Sequence, residues 1–193
     1  MRKVVLYTLT SLDGAVDDPR RYFPKTDADI PGPPVFDPVM IDLEASMIGG
    51  QDAVLLGRRM YDEWSQYWPT SDEQPFADFI NHVKKYVITS TPLTKQWGDA
   101  EAVTAPIAEF LGALKARPGA DIGVHGSIEL AQSLLAAGLV DELQLAVGPV
   151  LDPTGRHLFE RLTDWMRLEL LNATPTPSGT VWLSYRVASR TSD

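Results

Sequence analysis

The sequence predicts an α/β fold with a mixed, mainly parallel central sheet, helices on both faces and antiparallel strands near the C-terminus. Strand-like and helix-like stretches alternate as far as Asp141, as they do where helices join parallel strands. Beyond Asp141 apolar residues recur at every second position, which indicates paired strands without intervening helices. A chain of 193 residues without a linker is expected to form one domain, residues 1–193.

The start of the chain predicts one strand, one loop and one helix. Val4–Thr10 is apolar and β-branched and ends at the turn-forming stretch Ser11–Gly14. Prolines and charged residues crowd together over Asp17–Pro38, so we expect a long surface loop. Met40–Ile48 has helical spacing and stops before a glycine pair, which predicts a short helix.

The remaining elements follow from the same two periodicities. Helical stripes are expected from Met60 to Trp68, Phe76 to Val83, Pro106 to Leu114 and Ile128 to Leu135, and strands over Asp52–Leu56, Tyr86–Thr89, Ala102–Thr104 and Ile122–His125. The period-two segments include Leu143–Val147, Leu168–Leu170 and Val181–Val187. The aromatic residues Tyr61, Trp64, Tyr67 and Trp68 are expected to pack in the core.

Composition excludes several classes of function. With 17 basic and 26 acidic side chains the formal charge is −9, which disfavours binding to nucleic acid and to acidic membranes. No apolar run is long enough for a bilayer span and no signal peptide precedes the first strand, so a cytoplasmic location is expected. The absence of cysteine excludes disulfides and thiolate chemistry, and His82, His125 and His157 lack ligand-spaced companions, so no metal site is predicted.

Three turns could bind a dinucleotide. The first contains Gly57, Arg58, Arg59 and Met60, the second Thr89 and Ser90, and the third His125, Gly126, Ser127 and Ile128. In a parallel sheet such turns follow the carboxyl ends of strands, where backbone N–H groups and helix N-termini bind anions. The arginines and hydroxyls could meet the extra phosphate of NADPH, which favours NADPH over NADH.

Each feature also has an ordinary structural explanation. A glycine after a strand is commonly just a turn, and Ser127 could simply be a helix N-cap. Arg58 and Arg59 could form a solvated helix face, paired with Asp62 and Glu63 at helical spacing.

Two carboxylates are candidate catalytic residues. Asp13 follows the first strand, where it could bind a ring nitrogen or relay a proton, or could be a turn aspartate. Glu44 lies on the helix after the long loop and could face a substrate. Asp42, on the same helix, could do the same, although such residues commonly face water.

These motifs together resemble the dihydrofolate reductase superfamily. The residues that carry the resemblance are Leu55–Tyr61, Val87–Ser90 and His125–Ser127. Ser11–Gly14, Gly138–Leu143 and Gly148–Val150 make the chain more similar to the reductase domain of the bifunctional riboflavin-biosynthesis deaminase-reductases, over nearly its whole length. The cysteine-free chain lacks the zinc motifs of the deaminase domain.

The resemblance implies a dihydrofolate-reductase-like three-layer sandwich that binds NADPH at the three turns. It also implies hydride transfer to a small pterin-like or ribosylated pyrimidine-like substrate, and a homodimer formed through the C-terminal strands. Two departures from the family are His125–Gly126, where two glycines are common, and Leu151–Gly155, where the family has a glycine-rich turn. Two alternatives remain: dihydrofolate reduction, with Asp42 or Glu44 binding the pterin ring, and a non-catalytic dinucleotide-binding sensor or assembly module. The loop Asp17–Pro38 is expected to cover the nicotinamide.

Overall fold

Eight strands form one sheet, and their order in the sheet differs from their order along the chain. The computed structural model describes residues 1–23 and 36–188. The strands are β1 (Val4–Thr10), β2 (Gln51–Gly57), β3 (Lys84–Ile88), β4 (Ala100–Val103), β5 (Asp121–His125), β6 (Glu142–Val147), β7 (Leu168–Pro175) and β8 (Val181–Val187). The helices are α1 (Pro19–Tyr22), α2 (Pro38–Gly49), α3 (Arg58–Tyr67), α4 (Phe76–His82), α5 (Ile107–Lys115) and α6 (Ile128–Ala136), and a 3-10 turn spans Trp68–Thr70.

The sheet is parallel except at its C-terminal edge. Its strand order is β4-β3-β2-β5-β1-β6-β8-β7. All neighbours from β4 to β6 pair in parallel, whereas β8 runs antiparallel to both β6 and β7. The predicted α/β fold with antiparallel C-terminal strands is therefore confirmed. β5 lies between β2 and β1, so the ends of β2, β3 and β5 are next to one another.

Helices cover the two faces of the sheet as the sequence predicts. On the back face, α5 and α6 bury Leu111, Leu114, Leu134 and Leu135 against β1, β2 and β5. On the front face, α2, α3 and α4 pack two apolar clusters against the other side of the sheet. Tyr61 is buried in the front face, and Trp64 and Trp68 pack against it, which confirms their core role. None of the described helices is long and apolar enough to cross a bilayer.

The N-terminus of helix α2 is well defined because its N-cap residue and its first helical residue both favour the start of a helix. The Asp37 carboxylate accepts the backbone N–H groups of Val39 and Met40, and Pro38 occupies the first helical position. Met40, Glu44 and Ile48 follow at intervals of four residues, so they share one face of the helix and are buried. This spacing places one carboxylate among apolar residues.

The expectation of an irregular loop over Asp17–Pro38 is wrong at both ends. Pro19–Tyr22 forms a helical turn, and α2 already begins at Pro38. In both helices a proline provides the backbone φ that a first turn needs. Residues 24–35 of the loop lie outside the described residues, so its covering role stays a prediction.

Candidate cofactor and active site

The three candidate turns lie side by side at one edge of the sheet. β2 pairs in parallel with both β3 and β5, so the chain leaves all three strands at the same edge. Arg58 Nη1 donates to Thr91 Oγ1 at 2.9 Å, which joins the turn after β2 to the loop after β3. The Gly57 N–H donates to Ser127 Oγ at 2.9 Å, which joins it to the turn after β5. Arg58, Ser90 and Gly126 thus belong to one region.

Ser127 does not cap α6 with its side chain, contrary to one sequence interpretation. It stands at the N-cap position in a left-handed conformation, φ 50°, and its hydroxyl accepts the Gly57 N–H instead. A non-glycine residue in this conformation is uncommon and is held by its surroundings. The first N–H groups of α6 therefore have no side-chain acceptor among the residues that the structure describes.

Helix α3 also begins without a side-chain cap. Its N-cap residue is Gly57, which has no side chain to offer. The first N–H groups of a helix need partners other than the helix itself and carry a partial positive charge. Helices α3 and α6 follow the adjacent strands β2 and β5, so their N-termini lie near each other. The first N–H groups of both helices can therefore bind an anion.

The turn after β5 makes close contacts at Gly126. This glycine has φ 61°, and a Cβ there would lie 2.7 Å from Met60 Cε and 3.2 Å from a ring carbon of Trp64. The positive φ favours glycine here, and a side chain at this position would require Met60 to shift. Ile128 is partly buried and packs against the back-face core.

Thr89 and Ser90 differ in their freedom. The Thr89 hydroxyl contacts the Thr91 carbonyl at 3.2 Å and also lies 3.2 Å from the Thr91 N–H, so it shapes the loop. Ser90 is exposed, and no described residue hydrogen-bonds to its hydroxyl. The Ser90 hydroxyl is thus available to a ligand.

The His125 side chain points away from its turn, into the front face. It is fully buried, and its Nε2 lies 2.8 Å from Gln51 Oε1. Gly123 makes room for this pair, because a Cβ there would overlap both side chains. Burial lowers the pKa of the imidazole to about 3, so it is neutral. Only the backbone of His125 can contact a ligand at the turn.

Asp13 holds two loops together. Its Oδ1 accepts the Ser11 hydroxyl at 2.6 Å and the Asp152 N–H at 2.9 Å, and His157 Nε2 lies 3.8 Å from its Oδ2. The Asp152 N–H, followed by the Ser11 hydroxyl, holds the pKa of the Asp13 carboxyl below its usual value. The ionised side chain thereby fixes the turn after β1 to the loop after β6.

Glu44 has the properties of an acid that titrates near neutrality. It is buried on the front face beside the Tyr7 hydroxyl, which makes no hydrogen bond of ordinary geometry with a described residue. Burial raises the pKa of the Glu44 carboxyl to about 7; the Tyr7 hydroxyl opposes this rise, and the Glu73 carboxylate adds to it. Asp42, on the same helix, is exposed.

Sequence reasoning missed the residues that surround these carboxylates. Tyr7 stacks on Trp182 with ring centroids 5.0 Å apart, which fixes its hydroxyl beneath α2. Tyr22 donates to Asp17 at 3.0 Å or to Asp152 at 3.2 Å, which secures α1 to the loop after β6. The direction of the Tyr7 side chain had no local signal, because β1 is buried on both faces and the partners of Tyr7 are distant in the chain.

Comparisons with known proteins identify the family of this chain. The profile of the RibD C-terminal domain matches residues 2–182. The chain belongs to the RibD C-terminal domain family. The uncharacterized protein YyaP of Bacillus subtilis, also a relative, is 31% identical over 138 residues, which are 69% of this chain and 73% of YyaP.

Two solved structures extend the likeness to the fold. A putative riboflavin biosynthesis protein from Shewanella sp. PV-4 has a TM-score of 0.73 at 18% identity, over 96% of this chain and 99% of that chain. The riboflavin biosynthesis reductase Rib7 of Saccharomyces cerevisiae has a TM-score of 0.60 at 15% identity, over 97% of this chain and 89% of that chain. At these identities the two structures show the fold alone, and membership of the RibD C-terminal domain family supports a reductase role.

Proposed function

We propose that the protein is an NADPH-dependent reductase that transfers a hydride to a pterin-like or ribosylated pyrimidine-like substrate. The observation that carries the proposal is the pair of helix N-termini, of α3 and α6, that start at adjacent strands without side-chain caps. Such N-termini bind phosphate through their free N–H groups. NADPH offers a pyrophosphate and a further phosphate to this edge.

The residues at this edge fit the cofactor. Gly57–Met60, Thr89–Ser90 and His125–Ile128 would hold it, with His125 contributing backbone groups alone. NADPH supplies the hydride from its nicotinamide ring. Ser127 keeps the first and third turns together through its hydrogen bond to Gly57, so these turns are positioned before a ligand arrives.

We propose that Glu44 holds the proton that is donated to the substrate during the reduction. A carboxylic acid with a pKa of about 7 is protonated in a useful fraction of molecules at neutral pH. Glu44 lies on the buried face of α2, beside Tyr7, the central residue of β1. Asp13 is the second candidate, and its contacts favour a role in fixing the loops around the substrate.

The first candidate reaction is reduction of 5-amino-6-(5-phosphoribosylamino)uracil or a close relative, which the family supports. Dihydrofolate reduction is the second candidate, and the buried carboxyl of Glu44 is the observation in its favour, because a pterin ring presents N–H donors to such a group. A dinucleotide-binding sensor would use the same turns without turnover.

Stopped-flow oxidation of bound NADPH separates these candidates. The pre-formed complex is mixed with a ribosylated aminopyrimidine, with dihydrofolate or with a panel of other heterocycles, and loss of nicotinamide absorbance is followed. We expect rapid oxidation with the pyrimidine. Faster oxidation with dihydrofolate would favour the second reaction, and oxidation by none of them would contradict a reductase.

We also propose a homodimer formed through the C-terminal strands. β7 is the last strand of the described sheet, so one of its edges has no described partner strand. Leu170 and Leu171 on β7, and Trp165 just before it, are exposed large apolar side chains. An unpaired apolar edge of this kind is commonly covered by another chain.

A further inference from the structure

The hydroxyl of Tyr7 is a buried polar group without an ordinary partner. Tyr7 is 5% exposed, and its hydroxyl makes no hydrogen bond of ordinary geometry with a described residue. Such a hydroxyl costs free energy, so native proteins rarely keep one without a reason. The Glu44 carboxyl of α2 lies beside this hydroxyl and acts on it electrostatically. Tyr7 therefore has hydrogen-bonding capacity left for a ligand.

Neighbouring rings hold the Tyr7 side chain in one orientation. Its ring stacks on Trp182, with the centroids 5.0 Å apart and an angle of 20° between the planes. The ring of His125 meets it edge to face, with the centroids 5.8 Å apart. Trp182 is itself fixed, because its Nε1 donates to Gln144 Oε1 at 3.0 Å. The Tyr7 hydroxyl consequently cannot turn away from α2 without disturbing these contacts.

Tyr7 also lies next to the strand that leads into the third turn. β1 and β5 pair in parallel, and Tyr7 is opposite His125 in their register. The residue after His125 is Gly126, whose backbone belongs to the candidate cofactor site. Tyr7 thus contacts the Glu44 carboxyl on one side and the carboxyl end of β5 on the other. This position lies between the proposed source of the proton and the proposed place of hydride transfer.

From these contacts we infer that Tyr7 is a catalytic residue that passes the proton of Glu44 to the substrate. The inference rests on the proposed function, because it requires a hydride transfer at this edge. The hydride that NADPH supplies adds to the carbon of a C=N or C=O bond, and the nitrogen or oxygen takes the Tyr7 proton as that O–H bond breaks. The Tyr7 oxygen takes the proton of the Glu44 carboxyl in the same step, which leaves Glu44 ionised.

The charges around Tyr7 require that the two protons move together. Burial, and then the Glu44 carboxylate, raises the pKa of the Tyr7 hydroxyl well above its usual value, so Tyr7 does not ionise on its own. Two titratable groups of the described residues act on the Glu44 carboxyl: Tyr7 favours its ionised form, and Glu73, before α4, opposes it. His125, on β5, is neutral. Loss of the Tyr7 hydroxyl should therefore raise the pKa of the Glu44 carboxyl above about 7.

Tyr7→Phe tests the contact in the protein without cofactor. The Glu44 carboxyl is titrated by NMR of isotope-labelled glutamate side chains, and its signal is identified by its loss in Glu44→Gln. We expect the midpoint to move to higher pH in Tyr7→Phe and to stay in place in Tyr86→Phe. Tyr86 is the matched control, because it is a buried strand tyrosine that packs on Phe110 in the back face. Equal midpoints in the unmodified chain and Tyr7→Phe would overturn the inference.

Single-turnover oxidation of bound NADPH tests the relay, with the substrate that the unmodified chain reduces. Tyr7→Phe should lower the rate about 100-fold because a general acid is lost, whereas Tyr86→Phe should retain it. The melting temperature of Tyr7→Phe should not fall, because the lost hydroxyl makes no ordinary hydrogen bond. An unchanged rate in Tyr7→Phe would overturn the relay and leave the reductase proposal standing. Oxidation with no substrate by the unmodified chain would contradict the proposed function itself, and the relay with it.

Discussion

At the residue scale, Glu44 shows how one buried carboxyl can serve chemistry at the expense of stability. Its pKa of about 7 in the folded protein lies above the ordinary value of 4.5. The folded protein therefore holds this proton more tightly than the unfolded chain, and stability falls as the pH rises from about 4.5 to 7. Above pH 7 the fold contains an ionised carboxylate among apolar residues.

Glu44→Gln is predicted to separate these two effects. Because glutamine cannot donate the proton, kcat/KM should fall roughly 100-fold or more, and the decline of the wild-type kcat/KM above pH 7 should disappear. At pH 8 the same variant should be more stable than the wild type by roughly 1–3 kcal/mol, because the burial of a charge is avoided.

Steady-state pH profiles and urea unfolding measure the two quantities. Asp42→Asn is the matched control, since Asp42 is exposed on the same helix, and it should change neither. An active Glu44→Gln variant with an unaltered pH profile would remove Glu44 from the mechanism.

Ser127 gives a second prediction at this scale. Ser127→Ala removes the acceptor of the Gly57 N–H, so the free energy of unfolding should fall by about 1–2 kcal/mol and NADPH binding should weaken as the two turns separate. Ser133→Ala is the control, because the one described hydrogen bond of the exposed Ser133 hydroxyl is to the Glu129 carbonyl of its own helix. Chemical denaturation and cofactor titration report both effects; equal results for the two variants would argue against a bracing role.

At the element scale, strand β3 carries a buried lysine at its N-terminal end. Lys85 Nζ donates to the Val83 carbonyl at 2.9 Å and to the Asn81 carbonyl at 3.3 Å, and it lies 4.6 Å from the centroid of the Trp97 ring. Its acceptors are carbonyls at the C-terminal end of α4, where the helix dipole favours a cation. Burial still lowers the pKa of the amine to about 8.

Because of this lysine, the free energy of unfolding changes with pH in the alkaline range. Between about 8 and 10.5 the unfolded chain binds more protons than the folded one, so the contribution of Lys85 to stability rises with pH in that window. Lys85→Met should remove this rise, whereas Lys84→Met should keep it, because Lys84 is paired with Asp99 and Glu101 and the pKa of its amine is raised. Unfolding free energies at pH 7 and 9.5 give the comparison, and parallel slopes for the wild type and Lys85→Met would contradict the assignment.

The elements themselves were predictable where the pattern is local. β1 spans the predicted Val4–Thr10 because turn residues bound it, and α6 starts at the predicted Ile128 after the glycine turn. The helical turn Pro19–Tyr22 was missed because four residues are too short to carry a periodicity. The Gln51–His125 pair was missed because its members are 74 residues apart. The direction of the Ser127 hydroxyl depends on Gly57, which is 70 residues away in the chain.

At the scale of the whole molecule, the strand order creates the candidate site. The insertion of β5 between β2 and β1 brings the third turn beside the first, and no local signal in the sequence specifies that insertion. The resemblance to the reductase family implied that the three turns share one binding site, but it was not used to predict a strand order. The position of Glu44, in contrast, follows from the four-residue spacing along α2.

The proposed dimer gives a prediction at this scale. Leu171→Glu puts a charge on the exposed edge strand, so a dimer that uses this edge should dissociate into monomers. Light scattering coupled to size-exclusion chromatography measures the mass of each variant. Leu151→Glu is the control, because Leu151 is also exposed but lies in the loop after β6 and not on β7. A wild-type mass of one chain, 21.3 kDa, at tens of micromolar would contradict the dimer.

The central claim is that the turns after β2, β3 and β5 bind one dinucleotide. An NMR titration of the backbone amides with NADPH tests it most directly. Saturable shifts are predicted at Gly57–Met60, at Thr89–Ser90 and at Gly126–Ile128, with the same dissociation constant for all three groups. Shifts confined to other parts of the sheet, or different affinities for the three turns, would contradict it.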